Sequence, residues 1–329
     1  MNRYSYVITL VLAMEFFASC GGESPLPPQS AIEPEQKVEN PPLNANDEEI
    51  NILFIGNSFT QDATEHLPAM LTASGIDNVY MTRLFHGGYT LPEYLQNFDN
   101  QNICAARSSG PGSKGWSSDE KLDDCPADAL KSREWDIVVL QEHSGRKEGW
   151  EWPGTLKDAL AGLIDRIRSA QPNHIPTIVY LMPQTYSNGS NVLKNSFSDN
   201  RYYMFSTTCF VAQKVLENTL IDIVISTGAM LENLRTTSLN IDNGMQLTRD
   251  SYHMDYGISR YGAACTVFKT LITPTTGKQL EDCPYRYSQS STSNGSYSTP
   301  VTDSNAPIAQ RAAIEAVNHP FEVTNLSNF

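Results

Sequence analysis

Short apolar runs alternate with amphipathic stretches along most of the chain. Apolar runs that lack a period of two predict buried strands, whereas apolar residues spaced three and four apart predict helices. The predicted strands are residues 51–55, 79–84, 135–140, 177–182 and 221–225. The predicted helices are residues 62–74, 156–170, 202–220, 256–272 and 306–317.

This order of elements predicts the fold class. Strands without polar alternation are buried on both faces, as in a parallel sheet that helices cover on each side. Right-handed crossovers then favour a doubly wound parallel sheet in a three-layer α/β/α sandwich. Ligands of such sheets bind at the carboxyl ends of the strands, so we expect functional residues in the loops that follow them.

The amino-terminal residues have a different character. Residues 6–14 are apolar, but this stretch is too short to span a bilayer permanently. The sequence "FASC" at Cys20, followed by Gly21, resembles the lipobox of a bacterial lipoprotein signal. The resemblance implies cleavage before Cys20, lipid attachment to Cys20, and export to the outer membrane or cell surface. The alternative is an ordinary secretory signal, which also implies export.

The next segment is rich in Pro, Glu and Asn and contains few large apolar residues. Such a composition cannot bury enough surface to offset the entropy of ordering it. We therefore predict a signal peptide at residues 1–20, a flexible tether at residues 21–48 and a folded domain at residues 49–329.

Composition and charge narrow the possible functions. The chain has 23 Lys and Arg against 37 Asp and Glu, which gives a formal net charge of −14 at pH 7. This negative field repels phosphate backbones, so nucleic-acid binding is not expected. Hydrophobic residues make up 40% of the chain, which is ample for a core.

The cysteines do not form a metal-binding pattern. Neither Cys-x-x-Cys nor His-Glu-x-x-His occurs, so the sequence predicts no metal and no other cofactor. Cys104 and Cys125 flank a polar loop and could close it as a disulfide. Cys209 and Cys265 fall in predicted helices and could be buried thiols, and Cys283 could pair or stay free.

A candidate nucleophile follows the first predicted strand. Ser58 lies in "GNSFT", at the edge of the sheet where a helix begins soon afterwards. The start of that helix offers free backbone N–H groups and the positive end of a dipole. The alternative interpretation is that Ser58 only caps a turn or a helix.

A candidate base lies far downstream, directly before the last core helix. Asp250 and His253 are three residues apart in "RDSYH", so both side chains can point to one site. A serine hydroxyl needs such a base within hydrogen-bond reach, and the base needs an orienting partner. A surface loop without a function is the alternative for this pair taken alone.

Together, "ILFIGNSFT" and "DSYH" resemble the first and last sequence blocks of the SGNH (GDSL-like) hydrolase superfamily, in a bacterial branch with a Gly-Asn-Ser nucleophile block. The resemblance implies a flavodoxin-like three-layer fold, Ser58 as nucleophile, His253 as general base and Asp250 as its partner. The family's second block supplies a glycine whose N–H helps the N–H of Ser58 to bind the oxyanion. The pair Gly87 and Gly88 in "FHGGYTL" falls at that place after the second strand, and we favour Gly88.

The third block departs from the family. Where Gly-x-Asn-Asp is usual, this chain has "QEHSG", and the missing Asn amide is a main oxyanion donor of the family. Gln141 carries an equivalent amide, and Ser144 stands near the Asn position, so either could donate. His143 could contact substrate, be solvated, or take part in catalysis.

Two functions remain open at this stage. One is a lipid-anchored serine esterase that removes a small acyl group, such as acetyl, from a carbohydrate or similar hydroxylated substrate. The other is a surface glycan-binding lipoprotein that has lost activity through its altered third block. Three tryptophans in two insertions suit either sugar stacking or local packing; they are Trp116, Trp150 and Trp152.

Overall fold

A computed structural model describes residues 39–43, 48–101, 104–117, 121–241, 245–289 and 298–329. The predicted signal peptide with Cys20, and most of the predicted tether, lie outside these residues. The described residues belong to one compact unit, Val38–Phe329.

Seven strands form a single sheet in the order β4-β3-β2-β1-β5-β6-β7. The strands are β1 (Ile50–Gly56), β2 (Val79–Phe85), β3 (Cys104–Ser109), β4 (Lys121–Asp124), β5 (Ile137–Gln141), β6 (Thr177–Met182) and β7 (Ile223–Ser226). Five neighbouring strands, from β2 through β1, β5 and β6 to β7, are parallel, while β3 runs antiparallel to β2 and β4 antiparallel to β3.

Eleven α-helices occur among the described residues. They are α1 (Ser58–Thr64), α2 (Leu67–Ala73), α3 (Leu91–Gln96), α4 (Pro126–Lys131), α5 (Leu156–Ala170), α6 (Asn191–Ser196), α7 (Arg201–Asn218), α8 (Thr227–Arg235), α9 (Ile258–Val267), α10 (Thr273–Thr276) and α11 (Ala306–Asn318). A π-helical turn, Phe268–Ile272, joins α9 to α10. Within the described ranges, no helix has the length and apolar character needed to cross a membrane.

The helices pack in two groups, as a three-layer sandwich requires. Helices α3 and α4 pack against α5, whereas α1, α8 and α11 pack against α9. The carboxyl-terminal helix α11 thus belongs to the domain, since it packs against both α8 and α9. The predicted α/β/α fold class is confirmed, and the predictions at 156–170 and 177–182 match α5 and β6.

Two predictions about elements are wrong. The sheet is not wholly parallel, because β3 and β4 add an antiparallel edge; β3 reads "CAARSS" and has no apolar run to predict a strand. The predicted helix at 62–74 is two helices. The first helix, α1, is capped by Asn57 and begins at Ser58, four positions before the predicted start at Asp62. The second helix, α2, begins at Leu67 and has Pro68 in its first turn, where proline is well tolerated.

Part of the predicted tether contacts the domain. The Asn40 side chain accepts from the N–H of Ile178 at 2.8 Å and donates to the Ile178 carbonyl at 3.0 Å. The carbonyl of Pro41 accepts from the Thr177 hydroxyl at 2.8 Å. These bonds satisfy backbone groups at the amino end of β6, so residues 39–43 belong with the folded domain.

The five cysteines of the described chain are buried free thiols: Cys104, Cys125, Cys209, Cys265 and Cys283. No disulfide joins Cys104 to Cys125, although they lie close together at the β3–β4 hairpin. Burial raises the pKa of Cys104 to about 12, so its thiol stays protonated and unreactive near neutral pH.

Candidate active site

The carboxyl ends of β1 and β5 meet at one edge of the sheet, because these strands are parallel neighbours. Ser58 opens α1, two residues after β1 ends. The segment before α9 carries Asp250 and His253 to the same edge. The topology therefore brings together residues that are 195 positions apart in the chain.

Three side chains form a continuous hydrogen-bonded relay. The Oγ atom of Ser58 lies 2.7 Å from Nε2 of His253. Nδ1 of His253 lies 2.7 Å from Oδ2 of Asp250. Ser58 is half-buried, and the His253 side chain is 15% exposed, so the hydroxyl and imidazole are partly shielded but accessible. This is the arrangement in which an imidazole can remove the serine proton.

A tight turn sets the position of the acid. Oδ1 of Asp250 accepts from the N–H groups of Tyr252 at 3.3 Å and His253 at 2.8 Å. Ser251 closes the turn with φ of +77°, which is uncommon for a residue other than glycine. Burial favours the neutral acid, but hydrogen bonds from His253 outweigh it and hold the pKa of Asp250 below its usual value. The carboxylate is thus ionised and can orient the imidazole.

The turn that carries Ser58 is held by its neighbour Asn57. Oδ1 of Asn57 accepts from the N–H of Phe59 at 3.0 Å, and Nδ2 donates to the Tyr89 carbonyl at 2.8 Å. At Gly56, a Cβ would lie 2.5 Å from Oε1 of Gln141, so only glycine fits between β1 and β5 here. Asn57 therefore has a structural role, capping α1 and fixing the next loop.

The side chain of Gln141 is hydrogen-bonded to the residues around the same turn. Its Oε1 accepts from the N–H of Asn57 at 2.8 Å, and from the N–H and hydroxyl of Thr60 at 3.2 and 2.8 Å. Its Nε2 donates to the carbonyl of Glu142. The side chain has 0% exposure, so a substrate cannot reach its amide.

Ser144 is likewise occupied. Its hydroxyl donates to the Gln184 carbonyl at 2.8 Å, and the residue has 0% exposure. The sequence offered Gln141 and Ser144 as alternative oxyanion donors, but the structure assigns both side chains to hydrogen bonds inside the protein. With 0% exposure, neither side chain is open to a substrate bound at Ser58.

Backbone donors are better placed. The N–H of Ser58 is at the first position of α1, where a helix has no internal acceptor. Gly88 lies in the turn after β2 with φ of +73°, a conformation that favours glycine. The bond from Asn57 to the adjacent Tyr89 ties this turn to the nucleophile, and the role of Gly88 as an oxyanion donor remains a prediction.

A buried ion-pair cluster links α1 to the loop that carries the base. Oδ1 of Asp62 accepts from Arg249 at 2.9 Å and from Arg260 at 2.8 Å. Oδ2 accepts from the N–H of Met254 at 2.9 Å. Asp62 is one helical turn beyond Ser58, so this carboxylate sets the distance between nucleophile and base. Sequence reasoning missed Asp62, although its position on the face of α1 next to Ser58 was a usable signal.

Aromatic rings surround the site. Tyr252 is 40% exposed, and its ring centroid lies 4.2 Å from that of His253. The tryptophans are packed instead: Trp116 donates to the Thr64 carbonyl at 3.1 Å, and Trp150 contacts Phe197. Tyr252, rather than a tryptophan, is therefore the ring available to a ligand next to His253.

No group of three or more His, Cys, Asp or Glu side chains within the described residues could hold a metal ion. The relay of Ser58, His253 and Asp250 needs none, because the imidazole supplies the proton acceptor.

A family model described as a domain of unknown function, DUF4886, matches residues 51–300. The chain belongs to this family. A DUF4886 protein from Bacteroides uniformis, solved by crystallography, is 27% identical and has a TM-score of 0.69; the match covers 85% of this chain and 98% of that one. No curated protein is significantly similar to this DUF4886 chain in sequence.

Two further solved structures are more distant. One is a Slackia heliotrinireducens protein provisionally described as an SGNH hydrolase, at 21% identity and a TM-score of 0.45, covering 68% of this chain and 99% of that one. The other is a catalytic mutant of an acetylxylan esterase from Geobacillus stearothermophilus, at 12% identity and a TM-score of 0.42, covering 68% and 94%. At these scores neither likeness bears on the activity of the DUF4886 chain.

Proposed function

We propose that this protein is a serine esterase of the SGNH type that removes a small acyl group, acetyl in the first instance, from a carbohydrate or similar hydroxylated substrate. One observation carries the proposal, the relay of Ser58, His253 and Asp250 with both hydrogen bonds at 2.7 Å. A surface serine with no catalytic role has no need of an imidazole that a carboxylate orients.

The chemistry follows from the relay. Oγ of Ser58 attacks the ester carbonyl while Nε2 of His253 takes its proton, and Asp250 stabilises the imidazolium that forms. The carbonyl oxygen becomes an oxyanion, which the N–H groups of Ser58 and Gly88 stabilise. The C–O bond then breaks, and His253 gives its proton to the leaving alcohol. Water, activated by His253, hydrolyses the acyl-enzyme and restores Ser58.

The surroundings support a small acyl group and a ring-shaped alcohol. Directly beside Ser58, Phe59 packs into a buried apolar cluster with Tyr186 and Phe197, which limits the space on that side. Next to His253, the exposed ring of Tyr252 offers a flat face on which a sugar could stack.

A chromogenic acetyl ester tests the activity. The wild type should release a burst of alcohol equal to the enzyme concentration, followed by steady turnover, because an acyl-enzyme accumulates. Ser58→Ala should lose the burst and lower kcat by roughly 10⁴ or more. His319→Ala, at the exposed end of α11, serves as the control and should behave as wild type.

The competing function is a glycan-binding protein without activity. If the protein only binds glycans, Ser58→Ala should still bind to a glycan array. The wild type should then not hydrolyse acetyl esters. The intact relay weighs against it, since a binding protein would gain nothing from the bond between Ser58 and His253. Ordinary turnover by Ser58→Ala would remove the esterase mechanism itself.

We further propose that the chain is exported and lipid-anchored through Cys20. Radiolabelled palmitate should enter the wild type but not Cys20→Ser, and the variant should leave the membrane fraction. Cys283→Ser, which alters a buried thiol in the domain, controls for the loss of a cysteine as such. A mature amino terminus other than residue 20 would contradict the anchor.

A further inference from the structure

His143 lies at the same edge of the sheet as Ser58. Ile55 of β1 pairs with Leu140 of β5, and Ser58 and His143 each follow the paired residue by three positions. The imidazoles of His143 and His253 both pack against the ring of Phe59, with centroids at 5.2 and 5.7 Å. His143 therefore lies beside Ser58 in the loop after β5, the loop from which the sequence predicted an oxyanion donor.

The backbone of His143 is fixed. Its N–H donates to Oε1 of Glu142 at 2.5 Å, while Oε2 of Glu142 accepts from the N–H of Leu91 at 2.9 Å. The buried carboxyl group thus joins the loop after β5 to the start of α3. A side chain mounted on such a loop keeps its position while a substrate reacts.

The protonation of the ring follows from a single contact. The N–H of Gly145 donates to Nδ1 of His143 at 2.9 Å. Since Nδ1 is the acceptor, the proton of the neutral ring must sit on Nε2, which makes Nε2 a donor. In the ranges that the structure describes, no residue accepts a hydrogen bond from this Nε2. The residue is half-buried, and its ring packs against Phe59, the neighbour of Ser58.

The ring of His143 is also neutral near neutral pH. Burial lowers the pKa of His143 to about 4, and the positive charge of Arg146 adds to the effect. A neutral imidazole that keeps its Nε2 proton cannot compete with His253 as a base. It can, however, donate to an oxygen that becomes negative, as neutral imidazoles do in other enzymes.

We propose that His143 donates a hydrogen bond from Nε2 to the oxyanion formed when Ser58 attacks the substrate. It would fill the role for which Gln141 and Ser144 are both too deeply buried. The inference rests on the proposed esterase function and deepens it. Because the bond strengthens only as charge develops on the oxygen, it acts on kcat rather than on KM.

Steady-state kinetics on an acetyl ester test the role. His143→Ala should lower kcat about 10²–10³-fold with KM within about threefold of wild type. His143→Gln carries an N–H donor on a side chain of similar reach, and should recover at least about tenfold of that loss. His319→Ala, which removes an exposed imidazole far along the chain, should match the wild type.

A second measurement separates donation from support of the fold. A boronic acid forms a tetrahedral anion on serine, so its affinity for His143→Ala should fall in parallel with kcat, and His143→Gln should recover both. A kcat for His143→Ala within about threefold of wild type would overturn the proposal, as would a His143→Gln variant no better than alanine at the same unfolding midpoint. If His143→Ala does not fold, the comparison of His143→Gln with the wild type decides. A glutamine that still donates a hydrogen bond to the oxyanion must retain part of the wild-type kcat.

The two proposals fail in different ways. If the wild type turns over acetyl esters through Ser58 but His143→Ala is unimpaired, only the role of His143 is lost. If the wild type neither hydrolyses acetyl esters nor reacts with a fluorophosphonate at Ser58, the esterase function falls, and the role of His143 falls with it.

Discussion

Replacing Gln141 by alanine should destabilise the protein by several kcal/mol. Its Oε1 accepts three hydrogen bonds where β1 leads into α1, from the N–H of Asn57 and from the N–H and hydroxyl of Thr60. A buried donor left without a partner costs about 1–3 kcal/mol. The hydroxyl can rotate to another acceptor, but the two N–H groups cannot, so they alone cost about 2–6 kcal/mol.

That loss is large against the total stability of a domain, about 5–15 kcal/mol. Equilibrium unfolding in urea measures it, with kcat on an acetyl ester recorded for the folded fraction. Gln141→Met is the matched control, because it fills most of the space without an acceptor. Both variants should be destabilised, with alanine the worse through the cavity it leaves.

The opposite pattern would refute this reasoning. If Gln141→Ala keeps the unfolding free energy of the wild type to within about 0.5 kcal/mol and loses 10²–10³-fold in kcat, the amide acts on the oxyanion. The hydrogen bonds of Gln141 to Asn57 and Thr60 would then contribute little to the fold.

Three further changes probe the site and its frame. Asp250→Asn should lower kcat by about 10⁴ without altering the unfolding midpoint, and a milder loss would show that the carboxylate is not needed to orient His253. Asp62→Asn should cost about 3–5 kcal/mol in urea unfolding, because the charges of Arg249 and Arg260 stay buried, and an unchanged midpoint would contradict it. Burial lowers the pKa of His66 to about 4, so the stability gained from its neutral ring is present above pH 6.5 and lost as the pH falls toward 4. Unfolding of His66→Gln at pH 7 and pH 4.5 should therefore differ less than for the wild type, whereas equal differences would show that His66 does not carry the acid sensitivity.

The sequence predicted those elements whose apolar pattern is unambiguous. Strand β6 and helix α5 match their predicted bounds because each has a clear buried run or stripe. The β3–β4 edge was missed because an antiparallel edge strand of small and polar residues carries no such pattern. A local pattern of apolar residues does not show which strand pairs with which when the partner strand lies elsewhere in the chain.

The site was predictable where chemistry restricts the choice of residue. Ser58, Asp250 and His253 were found together because a serine nucleophile requires a base and an orienting acid, and the structure brings all three within hydrogen-bond distance. The third block was not predictable in this way. Amide, hydroxyl and imidazole groups stand side by side in "QEHSG", and only burial shows which of them the protein uses internally.

The contact between Asn40 and Ile178 fixes where the chain enters the domain. Ile178 lies at the amino end of β6, while Ser58 lies beyond the carboxyl end of β1, and these strands run in the same direction. A strand of six residues spans roughly 20 Å, so entry point and nucleophile are on opposite ends of the sheet. The contacts of residues 39–43 are thus made at the end of the sheet away from the loops that carry Ser58 and His253, so this segment leaves the candidate site uncovered.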